Sequence, residues 1–287
     1  YNIPKFDGHH DRPQPSVLAE NIKEIEAFSR VLLPLSSWCV PLTNKIYEMH
    51  TEVVEKLLRL FAILLELPDE DQLVRDHQYD VKGEDHLRYM HYAARSAEEN
   101  KKVGELYSPG HTDLGTVTLL FRQPVAALQI LNSEGQWKWV KPQDGTITIN
   151  TCDALTALTG GLIKSSIHRV HAPPADQAHI DRLGVFILLG KLLEILYRKP
   201  SEPNGYSPNN HVVLDPIQNS PLLQRLGLTT NAFTELGQHL TTEQWVTVRQ
   251  TQQQRRNRDV KISSEGKYTY KPKDLEIIPG LQATIYN

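Results

Sequence analysis

Cysteine is almost missing from this chain. Cys39 and Cys152 are too few for a disulfide framework, and no spacing joins them to other metal-ligand residues. A cross-linked secreted scaffold is thereby excluded, and a reducing compartment, the cytoplasm, is the expected location. Missing too is any apolar run near the roughly 20 residues that cross a bilayer, and the first residues carry no secretory pattern. Neither charge is in excess: 31 Lys and Arg against 34 Asp and Glu leave a formal charge of -3. That balance gives no electrostatic footprint for nucleic acid or an anionic membrane, so the expected partner is a small molecule. No internal repeat occurs. Tyr1 stands where Met would, so the natural start is expected upstream.

What is present divides into textures. Residues 1 to 19 hold Pro, Asp and His without periodicity and read as an extended arm lying on something else. Helical patterns follow from Asn21 to Leu33 and from Asn44 to Leu67. In the second, Ile46, Met49, Val53, Leu57, Leu60, Phe61 and Leu64 recur at three-to-four spacing before Pro68 and Asp69 end it. After about residue 86 the chain turns to short runs rich in Val, Ile, Thr and Leu, at 116 to 121, 127 to 131 and 146 to 150. Turn sequences separate them, as in Asn132-Ser133-Glu134-Gly135 and Pro142-Gln143-Asp144-Gly145, and predict antiparallel strands. A last helical stretch covers about 221 to 256. The expectation is one domain over 1–287: an N-terminal arm and helices (1–85), an all-β core (86–219) and a C-terminal helix and tail (220–287).

The chemistry begins at Gly110-His111-Thr112-Asp113, just before the strand-like run Gly115 to Phe121. In extended chain, residues i and i+2 face the same way, so His111 and Asp113 can reach one ion. Alone, the pattern is weak. Roughly half of one His-x-Asp is expected by chance in such a chain, and His9-His10-Asp11 supplies a second, in a polar arm with no apolar face nearby. His168, in Ser165-Ser166-Ile167-His168-Arg169-Val170, is the distant partner of the first. Two imidazoles and one carboxylate on three corners of an octahedron leave three positions open, the arrangement suited to iron(II) oxygen chemistry. The competing reading is a surface or hydrogen-bonded core role, as for most histidines.

From about Leu87 to Val185 the chain resembles the iron(II)- and 2-oxoglutarate-dependent dioxygenases of the isopenicillin N synthase-like family. The matching residues run from Gly110-His111-Thr112-Asp113-Leu114-Gly115-Thr116-Val117-Thr118-Leu119-Leu120 through Leu128-Gln129, Gly135, Trp137, Val140, Pro142 and Gly145. They continue with Asn150, Asp153, Leu155, His168-Arg169-Val170 and Arg182. The resemblance implies a double-stranded β-helix, a jelly roll of the cupin-like kind, with flanking helices. It also implies His111, Asp113 and His168 as ligands of Fe(II), with O2 as oxidant. Arg182 would be partner of the 2-oxoglutarate tail, since a planar guanidinium grips a carboxylate with two charge-assisted hydrogen bonds. Tyr92 would supply a phenol near the co-substrate, and Arg88 would point into the substrate pocket.

Several positions depart from the family pattern. Gly184 stands where Ser usually follows the Arg, Met90 where Asn is common, and Cys152 where Gly is usual. The family's opening strand and Gly-Phe-Phe segment do not precede Tyr1. The segment His168-Arg169-Val170-His171-Ala172-Pro173-Pro174 resembles fungal members that tailor natural products. The implied reaction is hydroxylation of a polyketide or related phenolic or enolic metabolite in secondary metabolism, with oxidative ring rearrangement second. The alternatives are an iron oxidase needing no 2-oxoglutarate, an inactive metal-binding relative, and a zinc hydrolase, for which no His-Glu-x-x-His helix exists. Residues 190 to 210 read as an insertion and are expected to act as a lid over the pocket, before a strand at His211-Val212-Val213-Leu214.

Overall fold

The computed structural model describes residues 2–4, 16–23, 50–78, 85–189, 216–230, 261–262, 268–269, 273–278 and 281–285. Eight strands make the central unit: β2 (His86–Tyr92), β3 (Leu106–His111), β4 (Val117–Phe121), β5 (Leu128–Leu131), β6 (Trp137–Trp139), β7 (Ile147–Thr151), β8 (His168–His171) and β9 (Arg182–Leu189). With β1 (Asn2–Pro4), they form two antiparallel sheets in the orders β1-β2-β9-β4-β7 and β3-β8-β5-β6. The chain passes repeatedly from one sheet to the other, which is the double-stranded β-helix expected from the sequence. The expected strands at 116–121, 127–131 and 146–150 correspond to β4, β5 and β7, and the glycines of the two turns adopt φ of +75° (Gly135) and +69° (Gly145).

The five-stranded sheet has two chemically different faces because successive side chains alternate. On one face lie Leu87, Val117, Leu119, Ile187 and Leu189, all buried in the hydrophobic core. Packed in that core are Leu58 and Ala62 of a helix at Lys56–Leu64, Leu73 of a short helix at Gln72–Arg75, and Ala154, Leu155 and Leu158 of a helix at Asp153–Leu158. Leu223, on a helix at Pro221–Leu226, completes it. Each fully buried leucine contributes about 1.5–3 kcal/mol of hydrophobic stabilisation, so the outer layer anchors the sheet. The opposite face carries Arg88, Met90, Tyr92, Thr118, Leu120, Thr148, Asn150, Arg182 and Phe186, which the cross-strand register brings together.

Gly115 sets the distance between the loop after β3 and the end of β9. A Cβ at this position would lie 2.3 Å from the Leu189 carbonyl oxygen. The close approach lets Thr116 N–H donate to Leu189 O at 2.9 Å, while Ala154 N–H donates to Gly115 O at 3.1 Å. The loop holding Asp113 is thereby fixed against both the sheet and a helix N-terminus.

Several expectations need correction. The helix expected over 44–67 is described from His50, as a π-helical turn at His50–Glu55 followed by the α-helix to Leu64. Its buried stripe is Val54, Leu58, Ala62 and Leu65; of the expected set Val53, Leu57 and Phe61 pack against this core from its edge, whereas Leu60 and Leu64 are exposed. The N-terminal arm does lie on the sheet through β1, paired with β2, but it also holds a short helix at Ser16–Glu20. The C-terminal helix stops at Leu226 because Gly227 takes a left-handed φ of +68° and Leu228 N–H caps Leu223 O at 2.9 Å. The tail carries two β-pairings, Lys261–Ile262 with Tyr268–Thr269 and Lys273–Ile278 with Leu281–Ile285. The rest of the first expected helix, the His9-His10-Asp11 copy, the 190–210 insertion, the 211–214 strand and positions 231–256 lie outside the described residues.

Candidate metal centre and anion pocket

His111 ends β3 and His168 opens β8, and the two are direct cross-strand partners. A register irregularity between Ser108 and His111 alters the local twist, a usual way of re-aiming a side chain at a strand end. Their rings lie 4.4 Å apart, centroid to centroid. Asp113, two residues past the strand, reaches between them, with Oδ1 at 3.7 Å from His111 Nε2 and Oδ2 at 3.7 Å from His168 Nε2. One donor atom from each of the three residues lies within 4.8 Å of the others, and this is the group among the described residues with metal-ligand character.

The surroundings decide which atoms are available. His111 Nδ1 contacts Pro109 O at 2.8 Å and His168 Nδ1 contacts Ser166 O at 3.1 Å. A carbonyl oxygen can only accept, so in each neutral ring the proton sits on Nδ1 and the Nε2 lone pair faces the cluster. Asp113 Oδ2 accepts from Thr118 Oγ1 at 3.2 Å and from Asn150 Nδ2 at 3.0 Å, both on the inner face of the five-stranded sheet. Those two donors orient the carboxylate. Behind it, Thr112 Oγ1 donates to Asp153 Oδ2 at 2.9 Å at the start of the Asp153–Leu158 helix. Cys152, in the same shell, is fully buried, and burial with Asp113 and Asp153 nearby raises its thiol pKa well above the usual range.

A second feature lies along the same inner face. Arg182, the first residue of β9, is 3% exposed, and its Nε and Nη1 have no hydrogen-bond partner among the described residues. Burial lowers its pKa, partly offset by Tyr92, whose ring lies 5.4 Å from the guanidinium carbon. Tyr92 is the cross-strand partner of Arg182; burial raises its pKa, opposed by Arg182 and Arg88. The Tyr92 hydroxyl donates to Met90 Sδ at 3.3 Å. Arg88, partly buried, lies over the Phe186 ring at 5.1 Å from its centroid. A pocket lined by Leu120, Gln123, Val125, Leu128, Thr148 and Arg182 opens where the guanidinium ends. A buried cation whose N–H groups lack acceptors fits an anionic ligand that brings them.

The structure thus brings His111, Asp113 and His168 together, and groups Arg182, Tyr92 and Arg88 on one sheet face. Gln123, Thr118 and Asn150 received no role from sequence. Thr118 and Asn150 had a signal, because both fall on polar inward positions of strands flanking the His-x-Asp motif. Gln123 had none, since it sits in a loop beyond β4.

Comparison with known proteins then adds an independent line. Residues 83–190 match the family model described as the 2OG-Fe(II) oxygenase superfamily. A 2-oxoglutarate-dependent dioxygenase of Gibberella zeae is 34% identical over 132 residues, covering 46% of this chain and 38% of that protein. Clavatol oxidase of Penicillium crustosum is 38% identical over 85 residues, covering 29% of this chain and 25% of that protein. This chain therefore spans less than half the length of the curated relatives it matches. A full-length Neurospora crassa protein solved in complex with alpha-KG shares the fold at a TM-score of 0.55 and 24% identity, over 79% of this chain and 68% of that one.

Proposed function

We propose, from the match of residues 83–190 to the 2OG-Fe(II) oxygenase superfamily model, that this chain is a non-haem iron(II) dioxygenase acting on a small organic molecule. The observation that carries this reading is the convergence of His111, Asp113 and His168 with both Nδ1 protons engaged by backbone carbonyls. Two imidazoles and a carboxylate are the donor set expected for iron(II) with positions left open. Bound there, iron(II) supplies the chemistry that couples O2-dependent decarboxylation of 2-oxoglutarate, to succinate and carbon dioxide, with oxidation of a substrate C–H bond. The residues of this chain do the rest. Thr118 and Asn150 hold the Asp113 carboxylate in place, and Arg182, whose Nε and Nη1 have no partner among the described residues, supplies the cation for the far carboxylate of the co-substrate, with Tyr92 packed against it.

For the substrate, Arg88 is the residue of interest. It lies on the same face as Arg182 and Tyr92, and a partly buried cation there suits an acidic phenol, an enol or a carboxylate. The similarity to fungal dioxygenases, one of them named clavatol oxidase, supports a phenolic or enolic metabolite of fungal secondary metabolism as the class. In a trial of candidate phenols, Arg88→Met raises KM for the accepted substrate and leaves the 2-oxoglutarate requirement unchanged. An unaltered KM assigns Arg88 to packing against Phe186.

Anaerobic titration with iron(II) and then 2-oxoglutarate tests the reading directly. The expected result is a visible charge-transfer band that develops only when both are present, followed by succinate release on admission of air. No band with either addition removes the assignment. A band without succinate marks a metal-binding relative that does not turn over.

A further inference from the structure

Gln123 is 7% exposed, yet neither its Nε2 nor its Oε1 has a hydrogen-bond partner among the described residues. Leaving a buried amide group unbonded costs its full desolvation penalty, and proteins seldom tolerate it without a reason. The same pocket holds another such group, the Arg182 guanidinium, with Nε and Nη1 unbonded. The Gln123 Nε2 donor and the Arg182 guanidinium at one wall have a common remedy in an anionic ligand, which supplies acceptors.

Gly184 makes the arrangement possible. It lies two residues after Arg182 on β9 and directly opposite Met90 on β2. A Cβ at 184 would come within 2.8 Å of Gln123 Nε2 and 3.0 Å of Met90 Cε. A side chain at 184 would displace the ends of the Gln123 and Met90 side chains, so the three positions form one packed unit. The Gln123 amide nitrogen occupies the space beside Arg182 that a side chain at 184 would otherwise fill.

We propose that Gln123 is a second anchor for the distal carboxylate of the co-substrate, its amide nitrogen donating beside the Arg182 guanidinium in the space Gly184 leaves open. This rests on the reading of the pocket as the 2-oxoglutarate site. It adds a donor from the loop after β4 to one from β9, so the carboxylate is gripped by two elements of the barrel instead of by one strand. A neutral donor next to the cation also fixes the direction of the carboxylate without adding a second buried charge, which would cost more to desolvate.

The test is calorimetric binding to the full chain loaded with iron(II) under nitrogen, which needs no turnover. Two ligands are titrated: 2-oxoglutarate, and 2-oxopentanoate, which keeps the keto-acid end and replaces the distal carboxylate by a methyl group. Gln123→Met, which keeps the volume, and Gln123→Ala are expected to weaken 2-oxoglutarate binding by roughly 10- to 100-fold, as for a lost hydrogen bond to a charged group, and to leave 2-oxopentanoate unchanged. In the Gln123→Ala background, Gly184→Ser recovers part of the loss because the space is then clear for a hydroxyl. Unchanged 2-oxoglutarate affinity in both Gln123 variants, with Arg182→Met still weakened, overturns the Gln123 role and leaves the oxygenase reading standing. Equal weakening of both ligands also overturns it, since Gln123 would then shape the pocket without touching the carboxylate. If the wild-type protein binds neither keto acid, the reading of the pocket and this inference fall together.

Discussion

Alanine at Asp113 leaves a folded protein that binds no iron and turns over no substrate, and alanine at His111 or His168 does the same. The loss is large because each residue supplies one of only three donors, and Asp113 supplies the one negative charge among them. Asp113→Ala has a further cost at the site, since Thr118 Oγ1 and Asn150 Nδ2 lose their shared acceptor. The fold survives because the cluster stands apart from the core. Leu87, Val117, Leu119, Ile187 and Leu189 pack on the helical side of the sheet, while Asp113 contacts its inner side. Metal content by elemental analysis, succinate formation and thermal unfolding are the three readouts. The expected pattern is loss of the first two with a melting temperature close to wild type. Activity retained in two of the three variants ends the metal assignment.

How much of this was legible beforehand depends on the distance over which each signal acts. β4, β5 and β7 could be read because alternation and turn glycines such as Gly135 and Gly145 are local. The convergence of His111, Asp113 and His168 could be read because a short motif at the end of β3 has one partner, His168, on a strand that pairs with it. The Asp153–Leu158 helix gave no amphipathic pattern because all six of its residues are buried. A helix at Ala97–Lys102 was passed over although its start is written in Ser96 and Glu99, which form a capping box. The Lys56–Leu64 helix was legible only in part: Leu57 and Phe61 pack against the core as expected, but Leu60 and Leu64 are exposed, because apolar spacing carries no label for which edge of a stripe faces inward. Gln123 was invisible for a different reason. Its surroundings are made by Gly184 and Met90, which are remote in sequence, so the departures at 184 and 90 looked separate when they are one contact in space.

Arg182→Ala is expected to raise the 2-oxoglutarate requirement by about 30-fold to several thousand-fold, because deleting one partner of a buried charge pair costs about 2–5 kcal/mol. The ligand-free protein gives the more discriminating signature. Arg182 is buried, two of its nitrogens have no hydrogen-bond partner among the described residues, and burial pulls its pKa down, so in the absence of an anion its charge opposes folding. Arg182→Met, which keeps an unbranched stem against Tyr92 and removes the charge, should therefore match or exceed the melting temperature of the ligand-free wild type. The metal-loaded wild type gains stability when 2-oxoglutarate is added, as any ligand that binds only the folded state requires, and the variant loses most of that gain. A residue kept for packing alone would show the reverse, a lower melting temperature without ligand and an undiminished shift with it. An unchanged 2-oxoglutarate requirement in both Arg182 variants would move the anchor elsewhere on the inner face. If substrate oxidation also proceeded without 2-oxoglutarate and without succinate formation, the chain would be an iron oxidase that takes its electrons from the substrate.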